Sequence, residues 1–253
     1  MILLELKDVC KKFNSSKGLK DINLKISPGK IHILIGENGA GKTSIIKSVL
    51  SYYPVDSGQI LWKGKELFFG EFDYKKEIGY VPDDETLLEY LTPNEILNFV
   101  LNCYKVDKEK ALTTAKNLML LMDLKEGDTL VNHFSRGMRK KVQLILSLVH
   151  NPDLLVLDEP IAGLDPTMIA ILKDLLKELR NKGKAIMIST HDLAIAEEIG
   201  DEISIVKDGK IILSISKQMC EQQYGSLHSL YSTVYSKEVN ELRSRVHNVV
   251  SNL

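Results

Sequence analysis

The chain has 253 residues, 33 basic and 34 acidic side chains, and a formal net charge of −1. That balance offers no basic field for nucleic acid, the length suits one large domain or a domain with a subdomain, and a 44% hydrophobic content can fill a sizeable core. Cys10, Cys103 and Cys220 stand far apart, in neither a disulfide framework nor a metal knuckle, so a reducing cytoplasm is expected. The segment from Met1 to Phe13 carries charges within a few residues and does not read as a signal peptide. No run of about 18 apolar residues occurs, so any membrane role is expected to come through a partner.

In chain order, Ile2 to Val9 alternates apolar and polar residues, as a half-solvated strand does, and Asp21 to Ile26 repeats the pattern up to the Ser27-Pro28-Gly29 turn. Gln59 to Lys63, after Asp56-Ser57-Gly58, reads as a further strand of the same small antiparallel sheet. Between them lies Ile31 to Ile35, apolar and β-branched, which predicts a buried strand. It runs straight into Gly36, Glu37, Asn38, Gly39, Ala40, Gly41, Lys42 and Thr43, followed by a helical apolar spacing from Ser44 to Leu50. Strand, glycine-rich loop and helix in that order make a phosphate loop. The glycines let backbone N–H groups approach phosphate, and the helix N-terminus adds partial positive charge. Lys42 can reach the β- and γ-phosphates, and the Thr43 hydroxyl can ligate Mg²⁺.

From about Thr92 to His150 the periodicity turns helical. Pro93 suits a first helical turn. Lys108 to Met122 places Leu112, Ala115, Leu118, Met119 and Met122 on one face, and Arg136 to His150 is a third helix. This block, about residues 85–150, reads as a helical insertion between two α/β pieces. The α/β pattern resumes with Leu154 to Leu157, an apolar strand ending in Asp158 and Glu159. An acid at a strand tip beside a phosphate loop is placed to hold Mg²⁺, which assigns Asp158, while Glu159 is placed to polarise an attacking water. A helix from Met168 to Arg180, a buried strand from Ala185 to Ser189, and a helix from Leu193 to Ile199 follow. Two strands flanking Asp208-Gly209 read as a hairpin.

Together these residues resemble the ATP-binding subunits of ABC transporters. The segment Phe134-Ser135-Arg136-Gly137-Met138 is similar to the family signature Leu-Ser-Gly-Gly-Gln, matching at Ser135 and Gly137 and departing elsewhere. In the family that serine and its neighbouring N–H groups contact the γ-phosphate held by a second subunit. Ala162 to Asp165 resembles the loop that touches that subunit, and His191 resembles the switch histidine that orients water and Glu159. Phe13 falls where the family places an adenine-stacking aromatic. Asp83 stands where a glutamine is usual, a departure that looks like the subgroup paired with ABC-2-type permeases, mostly exporters; Asp84 or Glu85 could share its role. A carboxylate there can still ligate Mg²⁺.

The resemblance covers roughly residues 2–215 and implies a P-loop NTPase (RecA-like) α/β core with a small antiparallel β-subdomain and an inserted α-helical subdomain. Residues 216–253 are expected to form a C-terminal helical extension, in which Tyr235, Val239, Leu242, Val246, Val249 and Leu253 follow a short a/d spacing. The implied function is an ATPase that powers transport, on the export side, through a separate membrane permease, with ATP and Mg²⁺ as cofactors. The implied partners are a second copy or a related ATPase subunit and the permease, which places the chain on the inner face of the membrane. A non-transport ATPase acting in regulation or iron–sulfur assembly carries the same motifs.

Overall fold

The computed structural model describes residues 2–14, 17–84, 86–104, 106–125 and 127–236. Two sheets organise it. Strands β1 (Leu4–Lys12), β2 (Gly18–Ile26), β4 (Ser57–Trp62) and β5 (Lys65–Glu66) form an antiparallel sheet in the order β2-β1-β4-β5. Strands β3 (Ile31–Ile35), β6 (Ile78–Val81), β7 (Leu154–Asp158), β8 (Ala185–Thr190), β9 (Glu202–Lys207) and β10 (Lys210–Ser216) form the second, ordered β10-β9-β3-β8-β7-β6. Its pairings are parallel except for the β9–β10 hairpin.

The burial patterns follow from these positions. Every residue of β3, β7 and β8 is buried, because a parallel sheet is covered on both faces. β2 alternates between buried and exposed residues along most of its length, because the antiparallel sheet keeps one face in water. Leu34, Val156 and Met187 pack toward the antiparallel sheet with Ile45, Ile46 and Trp62. Ile33, Leu155 and Ile188 pack on the other face with the helices. The strand β6 was not legible as one, since Gly79 and Pro82 interrupt so short an apolar run.

The helices are α1 (Lys42–Val49), α2 (Pro93–Tyr104), α3 (Lys108–Leu121), α4 (Arg136–Leu148), α5 (Pro166–Asn181), α6 (Leu193–Ile199), α7 (Lys217–Tyr224) and α8 (Leu227–Val234). Most carry a side-chain cap at the start. Thr92 and Glu95 form a reciprocal capping pair before α2. Asp107, Ser135, Asp165, Asp192, Ser216 and Ser226 each accept from a first-turn N–H. Helix α1 is the exception: Gly41 precedes it at φ 113° with no side-chain cap and no acid in the first turn. Its N-terminal N–H groups and dipole are left for something else. Of the a/d positions expected in the tail, Tyr235 alone lies among the described residues; it follows α8, is buried and stacks on Tyr231 at 4.3 Å. Val239, Leu242, Val246, Val249 and Leu253 lie outside the described residues.

Burial also sets an acid sensitivity. His32 on β3 is 5% exposed, with Nε2 2.8 Å from Ser204 Oγ. Desolvation lowers its pKa from 6.5 to about 4. As pH falls through that window the unfolded chain takes up a proton that the folded chain refuses, so stability falls with it. The expected loss from this one group is about 2 kcal/mol at pH 5 relative to neutral pH. Urea unfolding at both pH values should show that loss, and His32→Gln should remove it.

Candidate functional site

The phosphate loop closes where β3 must pass β9 without a side chain. A Cβ on Gly36 would lie 2.3 Å from the Val206 carbonyl oxygen, so the close approach requires glycine. Gly39 and Gly41 both have positive φ, 82° and 113°, and between them Ala40 N donates to Glu37 O at 3.1 Å. The β9–β10 turn supports the loop from below, with Gly209 N donating to Ala40 O at 2.8 Å. Lys42 is 6% exposed and folds over the loop, donating to Gly36 O at 2.7 Å and Glu37 O at 3.3 Å.

The parallel register of β3, β8 and β7 then delivers the other groups, since β8 lies between the other two. Asp158, at the end of β7, and Glu159, the next residue, are 1% and 8% exposed. Lys42 Nζ lies 3.3 Å from Glu159 Oε1. His191 Nδ1 is 3.0 Å from Glu159 Oε2. Glu159 N donates to Ser189 O at 3.1 Å and to Ser189 Oγ at 3.2 Å. Glu159 sits at φ 46°, a left-handed backbone that a non-glycine residue adopts at some cost. The carboxylate is therefore held by its surroundings between an ammonium and an imidazole.

Asp158 is prepared differently. Its Oδ1 accepts from the Ser189 hydroxyl, and its Oδ2 is buried without a hydrogen-bond partner. Burial raises its pKa above the usual carboxylate range; hydrogen bonds from Ser189 and Thr43 oppose the shift, while the charges of Asp83 and Glu159 add to it. The unpartnered Oδ2, on a buried carboxyl group that also has Asp83, Glu159 and the Thr43 hydroxyl near it, is matched by a hard cation. Among the described residues no group of three or more His, Cys, Asp or Glu side chains is arranged to hold a metal. Thr43 and Asp158 would thus hold Mg²⁺ only with phosphate oxygens and water completing its shell, its usual mode of binding.

Ser189 was not singled out from the sequence, although it hydrogen-bonds with both acids. The same is true of Lys140 and Gln143 on α4. Lys140 is fully buried and donates to Pro82 O at 2.8 Å and Asp83 O at 3.1 Å, and Gln143 donates to Asp84 O at 2.8 Å. They fasten the Asp83 loop to the helix that begins at Ser135. Polar residues on the apolar face of α4, at the spacing 140, 143, 147, are the signal that could have found them. Asp83 itself is exposed, and Glu85 lies outside the described residues.

Ser135 and Gly137 stand apart from the other site residues. Ser135 Oγ accepts from Met138 N at 3.3 Å, and a Cβ on Gly137 would come within 2.8 Å of Gly163 O. The signature segment and the Ala162–Asp165 loop are thus neighbours within one chain. No hydrogen bond or ion pair found among the described residues joins Ser135 or Gly137 to Lys42, Asp158 or Glu159. Phe13 is 45% exposed and meets Tyr53 edge-on at 5.0 Å.

A family profile described as ABC transporter matches residues 19–162. The chain belongs to the ABC transporter family. Among curated ABC relatives, it is 32% identical to the lantibiotic transport ATP-binding protein SrtF of Streptococcus pyogenes, covering 83% of this chain and 90% of that protein. It is 30% identical to the ABC-type transporter ATP-binding protein EcsA of Bacillus subtilis, covering 95% and 98%. ABC transporter G family member 20 of Dictyostelium discoideum is 33% identical, but the chain spans only 31% of its length. A solved ATP-binding subunit of an ABC transporter superposes with a TM-score of 0.85 at 31% identity, covering 91% of this chain and 98% of that one. The fold expected from the sequence, a P-loop NTPase α/β core, is the fold observed. The chain is an ATP-binding, ATP-hydrolysing subunit of the ABC transporter type.

Proposed function

We propose that two such chains close head to tail on two ATP molecules, and that this closure drives export through an ABC-2-type permease. The observation that carries the catalytic half is the Lys42–Glu159–His191 chain of contacts, with the unpartnered Asp158 Oδ2 beside it. Lys42, Thr43, Ser44 and the backbone of Glu37, Asn38, Gly39, Ala40 and Gly41 receive the phosphates. Glu159 accepts a proton from the attacking water, and His191 orients both. Mg²⁺, held by Thr43 and Asp158 with Asp83 nearby, would neutralise charge developing on the phosphates.

The second half of the site comes from the partner copy. Ser135 and Gly137 open helix α4 in this chain with no hydrogen bond found to its own phosphate loop, and a serine at a helix start, where the dipole is positive, suits an anion. One related cassette has been solved as a dimer, which supports the pairing. The γ-phosphate would bridge two copies, and its loss would let them part. Among the described residues no helix is long and apolar enough to cross a membrane, and we assign the transport path to a membrane-spanning permease. A cleft of about 380 Å³ lined by Leu50, Tyr52, Lys75, Ile78, Tyr80 and Tyr104 lies between the core and helix α2, in reach of the Asp83 loop. It is the surface we assign to the permease. Isolation of the chain from detergent-solubilised membranes tests this: a stoichiometric multispanning protein is expected, and its absence in every nucleotide state would refute the transport reading.

Export rests on Asp83 and on the likeness to a lantibiotic transport protein. Asp83→Gln should keep ATP turnover of the isolated subunit within about threefold, because a carboxamide oxygen still accepts from water and ligates a hard cation. A collapse of turnover would make the carboxylate a catalytic requirement and remove it as a mark of the permease class.

A further inference from the structure

The segment between α1 and β4 does more than connect them. Tyr53 donates its hydroxyl to Ser44 O at 2.5 Å, one residue past Thr43 in helix α1, and receives a bond from Ser48 Oγ at 3.3 Å. Its ring meets the Phe13 ring at 5.0 Å and 82°, a favourable edge-to-face contact. Lys11 Nζ lies 5.8 Å from the same ring's centroid. Three residues on, Asp56 grips the strand that leads into Phe13. It accepts from Lys12 N at 2.7 Å and from Lys11 Nζ at 2.8 Å, and its own N–H donates to Cys10 O at 2.8 Å. Beyond Phe13 the turn is closed by Phe13 N donating to Lys17 O at 3.0 Å. The aromatic at 13 is thus tied to the helix behind the phosphate loop by one stretch, residues 53–56, that itself lies in neither.

We propose that Tyr53 is a positioning residue that sets the span between the adenine platform at Phe13 and the phosphate loop. Phe13 is nearly half exposed and belongs to a surface hairpin whose ring could otherwise swing. Edge-on contact with Tyr53 occupies one side of that ring and leaves a π-face for a purine. The hydroxyl bond to Ser44 O fixes the height of Tyr53 relative to Lys42 and Thr43. A nucleotide then finds base and triphosphate sites at one separation, and pays less ordering cost on binding. This rests on the base-stacking role that the family resemblance implies for Phe13 and extends it to a residue that does not touch the nucleotide.

The test separates the base from the phosphates by comparing ATP with inorganic tripolyphosphate, each with Mg²⁺, by calorimetry on the full chain. Tyr53→Leu should weaken ATP about tenfold, the scale of one lost aromatic contact, and leave tripolyphosphate unchanged. KM should rise with kcat unchanged, since ground state and transition state lose the same binding. Phe13→Ala should cost about as much, and the double variant little more than either single one. Tyr53→Phe, which keeps the ring and lacks the hydroxyl, should lie between wild type and Tyr53→Leu, and decides the matter if Tyr53→Leu is poorly folded. Equal weakening of ATP and tripolyphosphate would show that Tyr53 merely stabilises α1, and no weakening of either, or fully additive losses, would equally overturn the proposal. If Phe13→Ala costs nothing, the base stacks elsewhere and the underlying reading fails with it. A loss at Phe13 but none at Tyr53 overturns only the positioning role.

Discussion

Glu159→Gln will lower ATP turnover by about 10³-fold, the usual contribution of a positioned general base, while leaving ATP binding intact. Glutamine keeps the shape of the side chain and its place beside His191. It cannot take a proton from water, and it ends the ion pair with Lys42 at 3.3 Å. Lys42 is then no longer shared between a carboxylate and the phosphates. ATP should therefore be held at least as tightly, and a long-lived ATP-closed dimer should accumulate, visible by size-exclusion chromatography with Mg-ATP. A variant that binds ATP and stays monomeric at every concentration would sink the head-to-tail arrangement. A variant that still hydrolyses ATP at the wild-type rate would remove Glu159 from the chemistry.

Lys42→Ala should weaken ATP binding by about 100-fold, in the range of a lost charge-assisted hydrogen bond. The ammonium is bound to Gly36 O and Glu37 O and lies against Glu159, so its removal also leaves Glu159, 8% exposed, without its buried counter-charge. The remaining carboxylate repels the nucleotide's phosphates and deepens the loss. Calorimetric titration with Mg-ATP checks this, with the far-ultraviolet spectrum as a control for folding. Unchanged affinity would contradict the phosphate-loop assignment outright.

A feature is legible in the sequence when its residues act through their neighbours in the chain rather than in space. The phosphate loop could be read from residues 36–43 because a tight turn, a strand before it and a helix after it are all local. The Asp208-Gly209 hairpin was local in the same way, and β9 and β10 lie on either side of it. The starts of α1 to α6 shifted by no more than two residues, as at α5, expected from Met168 and observed from Pro166 with Asp165 as its cap. Strand β6 escaped because its burial comes from pairing with β7 rather than from any pattern of its own.

The chemistry needed more. Asp158 and Glu159 were identified by their place at a strand tip, yet nothing in that stretch shows that Ser189 hydrogen-bonds both, or that Lys42 and His191 stand on either side of Glu159. Those contacts exist because β8 pairs with both β3 and β7, which brings residues 42, 159 and 191 to one end of a sheet. Likewise the burial of Lys140 against Pro82 and Asp83 and the edge-on contact of Tyr53 with Phe13 are written in no local pattern. By itself the sequence determined the nucleotide class, the starts of α1 to α6 and the family likeness, because each rests on residues adjacent in the chain. Only the tertiary structure decided which side chains share a charge or a hydrogen bond, because strand order and register, not spacing along the chain, set those distances.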